Sequence, residues 1–191
     1  MQESQILKHI QHMDIYLLDQ IMKQRYHKND RILDAGCGEG RNLRWFYNFD
    51  YDIWGVDMDT ERLKQARQNY PDIKQGLIQA ELSDLPFPAA HFEHIVCSAV
   101  LHFAEGEQHF YTMFSELIRV LKPGGTILIR TASNIGLPER NPDLTDAVSN
   151  RKASYYLSRQ IIDRHKLRLL EPVKTTNVQD MRCMTTLVLQ K

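Results

Sequence analysis

The sequence predicts an α/β fold, a three-layer αβα sandwich around a seven-stranded, mostly parallel sheet whose last strand runs antiparallel. Three observations predict it. Short apolar runs of strand length alternate with segments of helical spacing. The first such run enters a glycine-rich loop that opens a helix. The run His94-Ile95-Val96-Cys97-Ser98 is apolar through its centre, as a strand covered on both faces should be.

The elements follow in order. Residues 6–26 carry apolar side chains at Ile6, Ile10, Met13, Leu17, Ile21 and Met22, which predicts one helix ahead of the first strand, lying across the top of the sheet. Arg31-Ile32-Leu33-Asp34 is the first strand, and residues 42–49 form a helix with Leu43, Phe46 and Tyr47 on one side. Asp52-Ile53-Trp54-Gly55-Val56-Asp57 is the second strand, and Thr60 caps a helix that buries Leu63, Ala66 and Tyr70. A third strand spans residues 76–80, and the fourth is the apolar run above. Phe110, Met113, Phe114, Leu117, Ile118 and Leu121 mark an amphipathic helix that ends at Lys122-Pro123-Gly124-Gly125. Thr126-Ile127-Leu128-Ile129-Arg130 is the fifth strand. Residues 132–151 are polar, with two prolines, and are expected to form a long loop or lid. A helix over residues 155–165 and strands over 167–173 and 183–189, paired antiparallel, complete a Rossmann-like architecture.

A chain of 191 residues, 42% hydrophobic and 25% charged, suits one globular domain: residues 1–191 as a whole, with 1–30 a helical cap and 131–154 the lid. Lysine plus arginine equal aspartate plus glutamate at 24 each, so no concentrated positive charge calls for nucleic acid or an anionic membrane. The three cysteines are far apart and form no CxxC pair, which argues against a zinc site or a disulfide framework. No apolar run approaches the roughly 20 residues that span a bilayer, and Met1-Gln2-Glu3-Ser4-Gln5 lacks the order of a secretory leader. A cytoplasmic setting is expected; nothing in the sequence speaks to the oligomeric state.

The chemistry is expected at the carboxyl ends of the strands, where open parallel sheets bind ligands. Asp34-Ala35-Gly36-Cys37-Gly38-Glu39-Gly40 lies there, its glycines removing Cβ atoms where backbone must turn and approach a ligand. Asp57 ends the next strand, where a carboxylate can accept from both hydroxyls of a ribose. Dinucleotide sites favour G-x-G-x-x-G with a helix N-terminus facing pyrophosphate. Here the third glycine comes one position early, and Asp34 and Glu39 would repel a pyrophosphate. Two carboxylates are tolerable beside a cofactor with no phosphate and a positive sulfonium.

Over residues 31–130 the sequence resembles the class I S-adenosylmethionine-dependent methyltransferases, of the methyltransferase type 11/25 kind. The resemblance rests on Ile32 to Gly40, Gly55-Val56-Asp57, Ala80-Glu81 followed by Leu85-Pro86-Phe87-Pro88, Val100-Leu101-His102, and Leu121-Lys122-Pro123-Gly124-Gly125. Gly38-Glu39-Gly40-Arg41-Asn42-Leu43 is also similar to the tellurite-resistance-type subgroup. The resemblance implies S-adenosylmethionine as cofactor, S-adenosylhomocysteine as product, and an enzyme. It assigns Gly36 and Gly38 to the methionine moiety, Asp57 to the ribose, and Glu81 to the adenine amino group. The Leu82 N–H would meet adenine N1, and Met58 would pack on the ring. Asp34, Cys37 and Ser98 join the expected cofactor lining. The family more often has aspartate where Glu81 stands; both accept from an exocyclic amine.

Other residues keep two readings. His102, just past the fourth strand, is a candidate general base or a packed wall residue. Tyr16 closes over the cofactor or belongs to the core, and Arg41 pairs with the cofactor carboxylate or solvates the helix turn. Asp180 and Arg182 are candidate substrate contacts or a loop-edge ion pair. The other histidines show no metal-ligand spacing and are expected at the surface; no metal site is expected. The expected reaction is methyl transfer to a small-molecule acceptor. The alternatives are a nucleic-acid or protein methyltransferase, or a silent S-adenosylmethionine-binding protein. Ser98-Ala99-Val100-Leu101 stands where an Asn-Pro-Pro-Tyr-type motif would mark the former.

Overall fold

A computed structural model describes residues 3–136, 157, 167–178 and 182–191. Its elements are α1 (Glu3–Ile10), α2 (Ile15–Met22), β1 (Arg31–Ala35), α3 (Arg44–Asn48), β2 (Asp52–Asp57), α4 (Thr60–Asn69), β3 (Leu77–Gln79), β4 (Phe92–Ser98), α5 (Glu107–Val120), β5 (Leu121–Ser133), β6 (Arg168–Leu169), β7 (Lys174–Val178) and β8 (Arg182–Gln190). The sheet runs β3-β2-β1-β4-β5-β8-β6, with β7 also on β8. The first five strands are mutually parallel, and β8 enters antiparallel to β5. The seven expected strands become eight because the penultimate one is split. Leu170 still donates its N–H to Val188, but Pro172 has no N–H to give, so pairing lapses between β6 and β7.

Apolar clusters on the two faces make the outer layers. Leu17 of α2, Phe46 of α3, and Leu63 and Ala66 of α4 pack with Ile32, Val96, Leu128 and Val188. Phe110, Met113, Phe114 and Leu117 of α5 pack with Leu33, Ile95, Ile127 and Leu187. Side chains alternate along a strand, so polar residues two positions beyond the first cluster share its face. Asp34, Ser98, Arg130 and Thr186 are therefore all on the α2 side. Ser98, Arg130 and Thr186 stand in register across β4, β5 and β8.

Three expectations need correction. The single helix over residues 6–26 is two, because His12 takes φ 66° and Asp14 starts α2 as its cap, accepting from the Tyr16 N–H. Asp59, not Thr60, caps α4, accepting from the Glu61 and Arg62 N–H groups. His94 is buried rather than surface, its ring bonded to Thr126 and Asp30 at 2.7 and 3.0 Å. The expected loop over 132–151 starts later than expected, since β5 runs to Ser133, and from residue 137 it lies outside the described residues, as does the expected 155–165 helix; Leu157 is described, buried, and bridged to Ser133. Among the described residues no helix is long and apolar enough to cross a membrane, and no cluster of metal ligands occurs.

Candidate active site

The glycine loop turns back sharply at the end of β1. Gly36 and Cys37 both donate to the Val56 carbonyl, at 2.8 and 2.9 Å. Gly36 has φ +82°, and a Cβ there would lie 2.3 Å from a Val100 methyl. Gly38 donates its N–H to Asp57 Oδ2 at 2.7 Å, and Asp59 donates to Oδ1 at 2.9 Å. Asp57 thus fastens the loop to β2, and each of its oxygens keeps a lone pair for a further donor. The early third glycine also has a local cause. The Tyr70 hydroxyl donates to the Gly40 carbonyl at 2.7 Å, and a Cβ on Gly40 would sit 2.4 Å from that ring.

Asp34 is buried at 2% exposure, and neither carboxylate oxygen has a hydrogen-bond partner. Buried polar groups are normally satisfied, so a pair of orphan acceptors at a loop mouth marks a place for a donor or cation. Burial pushes the carboxyl up to about 7; the Arg41 charge opposes that shift, while the Asp57 and Asp14 charges add to it. The Asn42 amide also lowers it, without closing a hydrogen bond to either oxygen. Burial raises the Cys37 and Cys97 thiols as well, so both are inert, protonated packing groups.

Beyond Asp57, Met58 is an apolar side chain left 67% exposed. Ala80 donates to the Asp57 carbonyl at 3.2 Å, which brings the 80–84 turn beside it. In that turn Leu82 is buried, and exposed Glu81 accepts from the Ser83 hydroxyl at 3.3 Å. Arg41 reaches back to the His12 carbonyl at 3.4 Å, in the α1–α2 break. Gly36, Gly38, Asp34, Asp57, Met58, Glu81 and Leu82 therefore line one edge, at the ends of β1, β2 and β3.

A second cluster occupies the carboxyl ends of β4 and β5 and the facing first half of the antiparallel β8. Asp14 is buried; its Oδ2 accepts from Ser98 Oγ at 2.5 Å and lies 3.4 Å from Arg130 Nη1, while Oδ1 caps α2. Tyr16 bonds Thr176 through its hydroxyl at 2.8 Å and holds the Arg130 guanidinium 5.7 Å from its ring. His102 is buried in a short turn, where Nδ1 accepts from the Ala132 N–H at 3.3 Å and meets Thr131 Oγ1 at 3.3 Å. Arg182 opens β8 opposite Val178, and Asp180 lies outside the described residues.

Asp14, Arg130 and Thr186 are missing from the sequence-based site. A charge interrupting an apolar strand is the signal that would have found Arg130. An aspartate just before Ile15 is an N-cap signal that would have found Asp14.

The methyltransferase domain family matches residues 33–129, just over half of the chain. The chain belongs to the class I S-adenosylmethionine-dependent methyltransferases. The family's cofactor is S-adenosylmethionine. Among curated relatives, malonyl-[acyl-carrier protein] O-methyltransferase of Enterobacter lignolyticus is 26% identical over 70% of this chain and 51% of its own length. Fatty-acid O-methyltransferase of Mycolicibacterium smegmatis is 31% identical over 61% of this chain and 43% of its own. The chain spans about half the length, or less, of these relatives. A solved S-adenosylmethionine-dependent methyltransferase from Methanosarcina mazei superposes with a TM-score of 0.71 at 19% identity, over 90% of this chain and 96% of that one, and shows the same fold.

Proposed function

We propose that this methyltransferase-family chain catalyses methyl transfer from S-adenosylmethionine to a small-molecule acceptor. The observation that carries the reading is Asp34: a buried carboxylate with both oxygens unpartnered at the mouth of the glycine loop. With Asp57 and Asp14 contributing further negative charge, that mouth favours a cation. S-adenosylmethionine held there by Asp34, the glycine loop and Asp57 would supply an electrophilic methyl group, its sulfur keeping the electron pair of the bond given up to the acceptor's lone pair.

This chain's residues do the holding. Asp34 would face the cofactor's positive charge, Gly36 and Gly38 would let backbone approach the methionine moiety, and Cys37 would pack below. Arg41 would meet the cofactor's carboxylate and Asp57 would accept from the ribose hydroxyls. Glu81 and the Leu82 N–H would read the adenine edge, and Met58 would cover its face. Ser98 would border the reacting centre, and Tyr16 would close over it from α2. His102, whose Nδ1 already accepts from Ala132, is assigned the wall, which leaves positioning and exclusion of water as the main sources of rate. Asp180 and Arg182 complete the proposed acceptor contacts. A small acceptor is supported by the balanced charge of the chain and by relatives named for malonyl and fatty-acid O-methylation.

Titration calorimetry with S-adenosylmethionine and S-adenosylhomocysteine, followed by measurement of S-adenosylhomocysteine release across small acceptors, tests the reading. Micromolar-range binding and acceptor-dependent release are expected. No heat with either ligand would overturn it.

A further inference from the structure

The network at the ends of β5 and β8 has a feature that cofactor binding does not absorb. Arg130 Nε and Thr186 Oγ1 are both buried and neither has a hydrogen-bond partner. The two residues are directly opposite one another on β5 and β8, with side chains on the α2 face. Thr186 is 2% exposed. A lone orphan donor is costly, and two such groups on one register pair mark a place suited to an acceptor group. Asp14 takes Nη1 at 3.4 Å and Tyr16 flanks the guanidinium, and neither contact satisfies Nε.

The surrounding charge has the matching sign. Arg130, Lys174, Lys23 and Arg25 are linked through ion pairs and the Tyr16 ring to Asp14, Asp19 and Glu171. Among the described residues, these ion pairs join four cations to three carboxylates; Arg130 is matched by Asp14, and the extra cation lies with Lys23, Arg25 and Lys174 around Asp19 and Glu171. Guanidinium Nε–H with a neighbouring donor is the geometry that grips a planar carboxylate. The cofactor's own carboxylate is a poor claimant. Arg41 is the cation whose charge acts on Asp34 at the loop, whereas β5 lies two strands away from β1, about 10 Å at ordinary strand spacing.

We propose that Arg130 and Thr186 form the seat for the carboxylate of the methyl acceptor, making this site selective for carboxylate-bearing small molecules. The inference rests on the proposed methyl transfer, whose acceptor class it names.

The test measures equilibrium binding to the S-adenosylhomocysteine-loaded protein of butanoate, hexanoate and dodecanoate, each against the primary amide of the same chain length. Wild-type protein should bind at least one carboxylate about tenfold or more tighter than its amide. Arg130→Lys keeps the charge beside Asp14 but lacks Nε, and Thr186→Val keeps the shape but lacks the hydroxyl. Each should reduce that preference by about fivefold or more while S-adenosylhomocysteine affinity and melting temperature hold. Equal binding of acids and amides, binding of none of the acids, or an unchanged preference in both variants would overturn the proposal. Loss of S-adenosylhomocysteine affinity in Arg130→Lys, with 5′-methylthioadenosine affinity retained, would also overturn it by giving the seat to the cofactor's carboxylate. Failure of wild-type protein to bind S-adenosylhomocysteine is a different result, and it tells against the methyl-transfer reading itself; the acid–amide comparison is then made on the unloaded protein, with the same outcomes deciding it.

Discussion

The ends of β1 and β2 and the ends of β5 and β8 open on the same side of one sheet, yet they are built from opposite charges. At the first, Asp34 is orphaned and buried, Asp57 takes one backbone N–H on each oxygen and keeps a lone pair on both, and the glycines clear space. At the second, Arg130 holds an unpartnered donor on the strand position opposite an unpartnered threonine, and its guanidinium pairs with Asp14. Asp14 stands between them, close enough to raise the Asp34 carboxyl and to pair with Arg130. On the proposed reading, a cationic methyl donor and an anionic acceptor would each meet a complementary field, and the fold keeps the two ends at least two strands apart.

The largest effect is expected at Gly36. A Cβ there would lie 2.3 Å from Val100 on a backbone at φ +82°. Strain and overpacking together put the cost of Gly36→Ala at about 2–5 kcal/mol. Cofactor binding should be lost, with a fall in melting temperature on heating followed by circular dichroism. Carboxylate binding at the Arg130 end should weaken far less if the two ends are separate; equal loss at both would collapse the distinction.

Next comes Asp57→Ala. Losing a charged acceptor from the ribose should weaken S-adenosylmethionine binding by roughly 1–3 kcal/mol, about 5- to 150-fold in calorimetry. The Gly38 and Asp59 N–H groups also lose their partner, so some stability goes with it. Asp57→Asn, which keeps one acceptor oxygen, should recover part of the affinity. Affinity equal to wild type in the alanine variant would remove Asp57 from the cofactor site.

The same contrast explains what the sequence made legible. The glycine loop and Asp57 are consecutive in the chain with the strands that place them, so local spacing was enough. The mostly parallel sheet followed from strand–helix alternation, and β8 came out antiparallel as expected. The second end is assembled from the α1–α2 break, β5 and β8, residues 14, 130 and 186, and no local pattern unites them. The break itself is masked because apolar spacing continues through Met13 and Leu17, while the left-handed turn at His12 is a backbone event. The split between β6 and β7 was foreshadowed by Pro172, whose missing donor matters only once β8 is known to be its neighbour. The buried position of His94 likewise depends on Asp30 and Thr126, both remote or across a strand.

The smallest effect, and the sharpest, is the pH dependence that Asp34 should impose. Its carboxyl is raised from 3.8 to about 7 chiefly by burial, so the cofactor-free protein carries it protonated below neutrality. A positive ligand beside it favours the ionised form, so binding S-adenosylmethionine should expel a proton when the pH is below about 7. Affinity should therefore be flat above that pH and weaken by up to about tenfold per unit as the pH falls below it. Calorimetry in buffers of different ionisation enthalpy would count the proton. The fold has the opposite sign: a raised carboxyl stabilises it fully below 3.8, and that contribution is lost as pH rises towards 7. Asp34→Asn should bind the cofactor weakly with no step near neutrality, and its gain in melting temperature over wild type should grow between about pH 4 and 7 and then level. Carboxylate binding at Arg130 should carry no such step in either protein. A shared step would mean that the two ends are linked through Asp14 and titrate as one site.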